Sequence, residues 1–206
     1  MQSVDYYAIM WENGVKRKEV MWMDSRIRYT KFRIRIAFFE LLKNCPVDKM
    51  TVKGICDIAM VNRATFYKYY DSAADLMEKI EEEMLDSLEA RLKRVDPTNL
   101  KAGFTIILMD IHDNAGNYRL LFDKSGDGRF RDRFFAFFYN RNMEVIDAFF
   151  PDMAPSDRHW LYYFIAEGLI GIMKTWMSED CSEPIENVVG FMVALIDTIN
   201  KNFKGR

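Results

Sequence analysis

Almost the whole chain carries apolar residues at the spacing of a helix, and this periodicity admits one fold class. Ile34, Ala37, Phe38, Leu41 and Leu42 fall at i, i+3, i+4, i+7 and i+8, the apolar stripe of an amphipathic helix. Leu76, Ile80, Met84, Leu88 and Leu92 recur in steps of four. Strand-like alternation bounded by hairpin dipeptides is nearly absent. Only 5 Pro and 10 Gly punctuate 206 residues, which favours long helices over turn-rich folds. Half of the residues are hydrophobic, 50%, enough for a core and against wholesale disorder. The expectation is an all-α protein of about nine helices: 26–44, a short one opened by Thr51 as N-cap, 63–70, 73–95, 98–112, 115–123, 129–149, 156–177 and 185–203. Pro46 ends the first, and Asp96-Pro97 ends the fourth.

Charge is unevenly spread. Residues 16–70 hold 13 Lys or Arg against 5 Asp or Glu, whereas 71–206 hold 16 against 24. A basic first third on an acidic remainder suits a head that meets phosphate and a body kept away from it. Residues 1–25 read as an N-terminal extension. Within it, 1–22 read as a loosely ordered arm or an extra short helix, with Met23 as an alternative start. The spacing of Cys45, Cys56 and Cys181 fits neither a zinc site nor a disulfide framework, so a reducing, cytoplasmic setting is expected. No apolar run approaches the roughly 20 residues of a membrane helix, and no secretory h-region precedes a cleavage site.

The segment Thr51–Tyr70, TVKGICDIAMVNRATFYKYY, carries the functional signal. Two short helices are joined through Met60-Val61-Asn62, with long amphipathic helices before and after. A helix-turn-helix requires this arrangement, with the second helix entering the DNA major groove. Val52, Ile55, Ile58, Ala59, Val61 and Phe66 would lock the pair. Thr51, Val52, Ile55, Ala59, Val61, Arg63, Thr65, Phe66, Tyr67 and Tyr69 also fall on the signature T-V-x-x-I-x-x-x-A-x-V-S-R-x-T-F-Y-x-Y-F. The segment therefore resembles the TetR family of bacterial regulators, and Met23–Leu42 resembles that family's basic first helix. The resemblance implies a DNA-binding domain over 26–85 and a regulatory, dimerising domain over 86–206. Thr51 would cap its helix and bond a phosphate, and Tyr67 and Tyr69 would bind phosphate. Arg63, Ala64, Thr65 and Lys68 would face base edges. Arg26, Arg28 and Lys31 would reach the backbone or a minor groove. Two departures stand out: Asn62 replaces the usual Ser, and Ser72 is followed by Ala73-Ala74 where the family often places a phosphate-binding Lys.

The remainder is crowded with aromatics. Phe104, Tyr118, Phe122, Phe134, Phe138, Tyr162, Tyr163 and Trp176 are candidates for an apolar effector cavity, while simple core packing accounts for the same pattern. Gly168 and Gly171 let helices approach closely. With Leu169, Ile172, Met173, Val188, Phe191, Met192, Leu195 and Ile199 they form a candidate homodimer interface of the TetR-like type, and packing within one chain fits them equally. The GLIGIMKTW run is loosely similar to regulators of dihydroxyacetone-kinase operons. No cofactor, metal or catalytic constellation emerges. His112 and His159 are far apart and lack an i, i+4 partner. Asp110 to Asp113 is a weak chelating candidate. A calcium-loop mimic at Asp123, Ser125, Asp127 and Gly128 fails because Phe134 stands where a bidentate Glu is needed. The expected function is a ligand-responsive regulator, a repressor by the commoner family mode, reading a near-palindromic operator as a homodimer. The alternative is a helical protein-interaction module that has lost specific DNA binding.

Overall fold

The computed structural model describes residues 17–124 and 129–203. The part of the expected arm before residue 17, and residues 125–128 of the calcium-loop mimic, lie outside the described residues. Among the described residues there are nine α-helices and no strand: α1 (Arg17–Leu42), α2 (Val52–Ala59), α3 (Arg63–Tyr67), α4 (Ala73–Leu92), α5 (Leu100–Asp113), α6 (Ala115–Lys124), α7 (Arg129–Phe149), α8 (Pro155–Ser178) and α9 (Ile185–Phe203). A 3-10 turn, Val47–Lys49, follows Pro46. The all-α expectation holds. The first helix starts at Arg17 rather than Arg26. Residues 17–25 contain neither Pro nor Gly, so nothing stops the helix propagating backwards from its packed portion.

The chain divides into two compact units, Met1–Met77 and Glu78–Arg206. In the first unit, α1 packs across α2 and α2 against α3. Ile34, Ala37, Phe38, Leu42, Ile55, Cys56, Ala59 and Phe66 are buried, so the stripe read from α1 is the core of this unit. Gly54 sits where a side chain would crowd the pair: a Cβ there would lie 3.3 Å from Thr51 Oγ1 and 3.6 Å from Leu41 Cδ1.

In the second unit, α5 packs on α9, α7 on α8, and α6 on α5, α7 and α8. Tyr118, Phe122, Phe130 and Phe134 form a buried ring cluster with centroids 5.0–6.5 Å apart, a spacing at which edge-to-face pairs add to simple burial. Phe135, Tyr139 and Tyr162 build a second group against Ile146, Phe150, Leu161 and Ala166. Polar ties cross the apolar packing. The buried Asp110 accepts from the Arg91 guanidinium and the Tyr118 hydroxyl, which occupies the first carboxylate of the weak chelating candidate. Glu81 is buried and accepts from Arg133 at 3.1 Å, while Arg133 also donates to Glu82 at 3.2 Å.

Burial pushes the Glu81 carboxyl above its ordinary value of 4.5, against the pull of Arg133. A carboxyl with a raised pKa in the folded state binds a proton more readily there than in the unfolded chain. Its contribution to stability is therefore full below 4.5 and is lost as pH rises through the raised value. Glu81→Gln cannot titrate. Its stability relative to the parent should fall as pH drops through the raised value toward 4.5, measured by urea unfolding. A difference that stays constant would show that Glu81 does not titrate in this window.

Candidate nucleic-acid interface and effector cavity

The first unit presents its polar groups through two short capped helices. Thr51, in extended backbone, accepts from Gly54 N through Oγ1 at 3.1 Å. This satisfies one of the free N–H groups at the start of α2 and leaves the hydroxyl hydrogen able to donate outward. Asn62 does the same for α3, its Oδ1 accepting from Thr65 N at 2.7 Å. Ser72 Oγ accepts from Asp75 N at 3.0 Å, and the Asp75 carboxylate accepts from Asp71 N at 2.9 Å. The start of α4 is therefore fixed from both sides.

Phe66 is the anchor of α3. It is fully buried and its ring meets Tyr67 edge-on at 5.8 Å and Tyr70 at 5.5 Å. With Phe66 turned inward, Arg63, Ala64, Tyr67 and Lys68 are exposed, and Thr65 is half-buried behind its cap. Tyr67 is 53% exposed despite its size, so its hydroxyl can reach a partner outside the unit. Tyr69 is half-buried beneath the Lys31 ammonium, which lies 6.0 Å from the ring centroid. This contact joins α1 to the end of the α3 segment. Arg26 and Arg28 are exposed on α1. The surface thus gathers Arg63, Lys68, Tyr67 and Thr51, donors suited to phosphate and base edges. Ala73 is buried and Ala74 exposed, so no cation stands where a lysine would be expected. Lys53, exposed on α2, is a cation that the motif reading did not single out.

The second unit contains an apolar cavity of about 70 Å³. Phe104, Phe134, Phe138 and Tyr162, four of the eight aromatic candidates, line it. The other four aromatic candidates stand elsewhere. Tyr118 and Phe122 belong to the ring cluster, Tyr163 is exposed, and Trp176 donates through Nε1 to the Glu183 carbonyl at 2.8 Å. Aromatic residues on one helix share one periodicity whether they face a cavity, a core or solvent, so spacing alone could not sort them. Phe135, Gly103 and Asn142 also line the cavity and carried no sequence signal of their own, and Met173, read as a candidate interface residue, lines it too.

A groove runs between α8 and α9, floored by Gly168 and Gly171 and walled by Ile172, Val188 and Phe191. Phe191 and Leu195 are exposed, whereas Met192 is fully buried and Ile199 packs against the second aromatic group. Met192 is core because it lies about 100° around the helix from Phe191. Trp160 and Phe164, unremarked in the sequence, are 68% and 71% exposed and continue the line of Gly168 and Gly171 along α8.

Two helices set by side-chain caps, a long helix before and after them, and a separate helical body define the architecture of a two-part helical regulator. Residues 98–198 match the family model described as a transcriptional regulator C-terminal region, of TetR type. This match, which spans just under half of the chain, supports, together with the residues of the 51–70 segment, a TetR-type transcriptional regulator. Solved structures share the fold. A TetR transcriptional regulator from Streptococcus agalactiae is 24% identical, covering 86% of this chain and 98% of its own, with a TM-score of 0.63. The dihydroxyacetone kinase operon activator DhaS is 18% identical, covering 84% and 97%, with a TM-score of 0.55. The fatty acid degradation regulator FadR from Bacillus halodurans is 15% identical, covering 81% and 93%, with a TM-score of 0.61. Comparison with curated protein sequences finds no match. Among the described residues, no helix is long and apolar enough to cross a membrane.

One residue of this surface is strained. Met60, which closes α2, has φ 49 and ψ 48 and is 80% exposed. The left-handed conformation costs a side-chain-bearing residue roughly 1–2 kcal/mol, and glycine's extra unfolded-state freedom offsets roughly 0.5–1 kcal/mol of the relief. Met60→Gly should therefore stabilise the protein by about 0.5–1 kcal/mol, measured by urea unfolding. A loss of stability would mean that the methionine makes favourable contacts outweighing its strained backbone.

Proposed function

We propose that the chain is a DNA-binding repressor that reads a near-palindromic operator as a homodimer and responds to an effector held in its body. The observation that carries this reading is the α3 surface: a capped helix pinned by Phe66 that turns Arg63, Ala64, Tyr67 and Lys68 outward together. Arg63 is the residue best able to specify sequence, because a guanidinium matches guanine O6 and N7 bidentately. Tyr67, Thr51 and Lys68, with Arg26 and Arg28, position the head on the phosphates. Lys31 adds charge above Tyr69.

Dimerisation is supported by the exposed line Trp160, Phe164, Gly168 and Gly171 on α8 with Phe191 and Leu195 on α9. Large apolar side chains left exposed in this way mark interaction sites. A two-fold dimer would set two recognition helices about 34–36 Å apart, one turn of DNA. An effector that binds one head spacing better than another would shift the population between them. The absent lysine at Ala73-Ala74 favours a second reading, an interaction module of the same fold without specific DNA binding.

Selection of binding sites from random duplexes tests these roles. The parent chain should enrich a near-palindrome. Arg63→Ala should relax preference at one position in each half-site, costing about 1–3 kcal/mol there. Tyr67→Phe should weaken binding to all sequences alike. No enrichment by the parent chain would favour the interaction module, and an unchanged site profile for Arg63→Ala would remove its assigned role.

A further inference from the structure

The cavity in the second unit says more than that a ligand could enter. Among the described residues, its wall holds no Lys, Arg, His, Asp or Glu. Asn142 and Tyr162 bring the polar side-chain groups. The Tyr162 hydroxyl donates to the Phe135 carbonyl at 2.9 Å, so its oxygen faces any ligand as an acceptor only. The Asn142 amide brings both a donor and an acceptor. Gly103 contributes a bare stretch of α5, where an added Cβ would meet no atom within 4 Å.

These features limit the occupant in two ways. A carboxylate or phosphate carried into this wall would lose its hydration with no cation among the described wall residues to receive it. The volume of about 70 Å³ is far below the roughly 300 Å³ at the lower end of sites for drug-sized ligands. A long acyl chain does not fit. A single ring fits once unbranched Met173 yields, which its three rotatable bonds allow.

We propose that this cavity is a site for a small uncharged ligand with one aromatic ring and one hydrogen-bonding group, the ring packed among Phe104, Phe134 and Phe138 and the polar group met by the Asn142 amide. The proposal rests on reading the body as an effector domain and names the class of ligand.

The test uses the full chain without DNA, titrated calorimetrically and melted in the presence of methyl benzoate, benzoate, toluene and decanoate. Methyl benzoate should bind and raise the melting midpoint, with benzoate and decanoate at least about tenfold weaker, a gap of about 1.4 kcal/mol. Gly103→Leu should fill the space and abolish ester binding while retaining the parent's helical content and melting midpoint. Asn142→Leu should weaken methyl benzoate and leave toluene unchanged, which separates recognition by the amide from simple loss of fold. Preferential binding of benzoate or decanoate would overturn the proposal. So would unchanged ester binding by Gly103→Leu, or no binding of any of the four compounds. Because these titrations contain no DNA, an ester-binding chain that fails to bind DNA would leave the ligand class standing and refute only the regulator.

Discussion

A five-residue helix does not persist alone in water, because nucleation costs more than so few hydrogen bonds return. The functional reading therefore depends on what holds α3. Two interactions do so: the Asn62 side chain satisfies Thr65 N at its start, and Phe66 is driven into the core built by α1 and α2. Phe66 also fixes rotation, since turning it inward turns Arg63, Tyr67 and Lys68 outward. The specificity proposed for this surface is thus a consequence of one buried ring and one cap.

The second unit obeys a different balance. Its core sets clusters of aromatic rings among Leu, Ile and Met side chains, and large flat rings fill space with few rotatable bonds. Buried charges are admitted where they are paired: Asp110 with Arg91 and Tyr118, Glu81 with Arg133. Paired charges inside an apolar body are costly to separate, so they pin α4 to α5 and to α7. The cavity is left where α5 has Gly103 in place of a filling side chain. α8, which lines this cavity, also carries with α9 an exposed apolar line, so one helix serves both a candidate effector site and a candidate partner face.

Helix positions were legible because their signals are local. Pro46 and Asp96-Pro97 stop helices by removing backbone options, and Thr51 and Asn62 open them through side-chain acceptors. The start of α1 was not legible, because residues 17–25 lack an apolar stripe and are helical by propagation. The exposed α3 residues could be read from the motif, since one buried Phe sets the phase of a short helix. The cavity could be read only in part. Phe104, Phe134, Phe138 and Tyr162 line it, but Gly103 and Met173 became visible only when α5, α7 and α8 were in place. Phe191 and Met192 differ by one position on α9, yet one is exposed and the other buried, a distinction that needs the packing partner. Trp160 and Phe164 carried no sequence signal, and only the packing shows them uncovered.

The central claim is that α3 reads DNA sequence while the surrounding cations and hydroxyls grip phosphate. Its most direct measurement is a salt titration of binding to the DNA upstream of the chain's own coding sequence and to a scrambled duplex of equal length and composition. The account predicts tight binding to the upstream duplex, much weaker binding to the scrambled one, and a steep linear fall of log K with log salt, about 0.9 per phosphate neutralised. Equal and weak binding to both duplexes, with a shallow salt dependence, would contradict it.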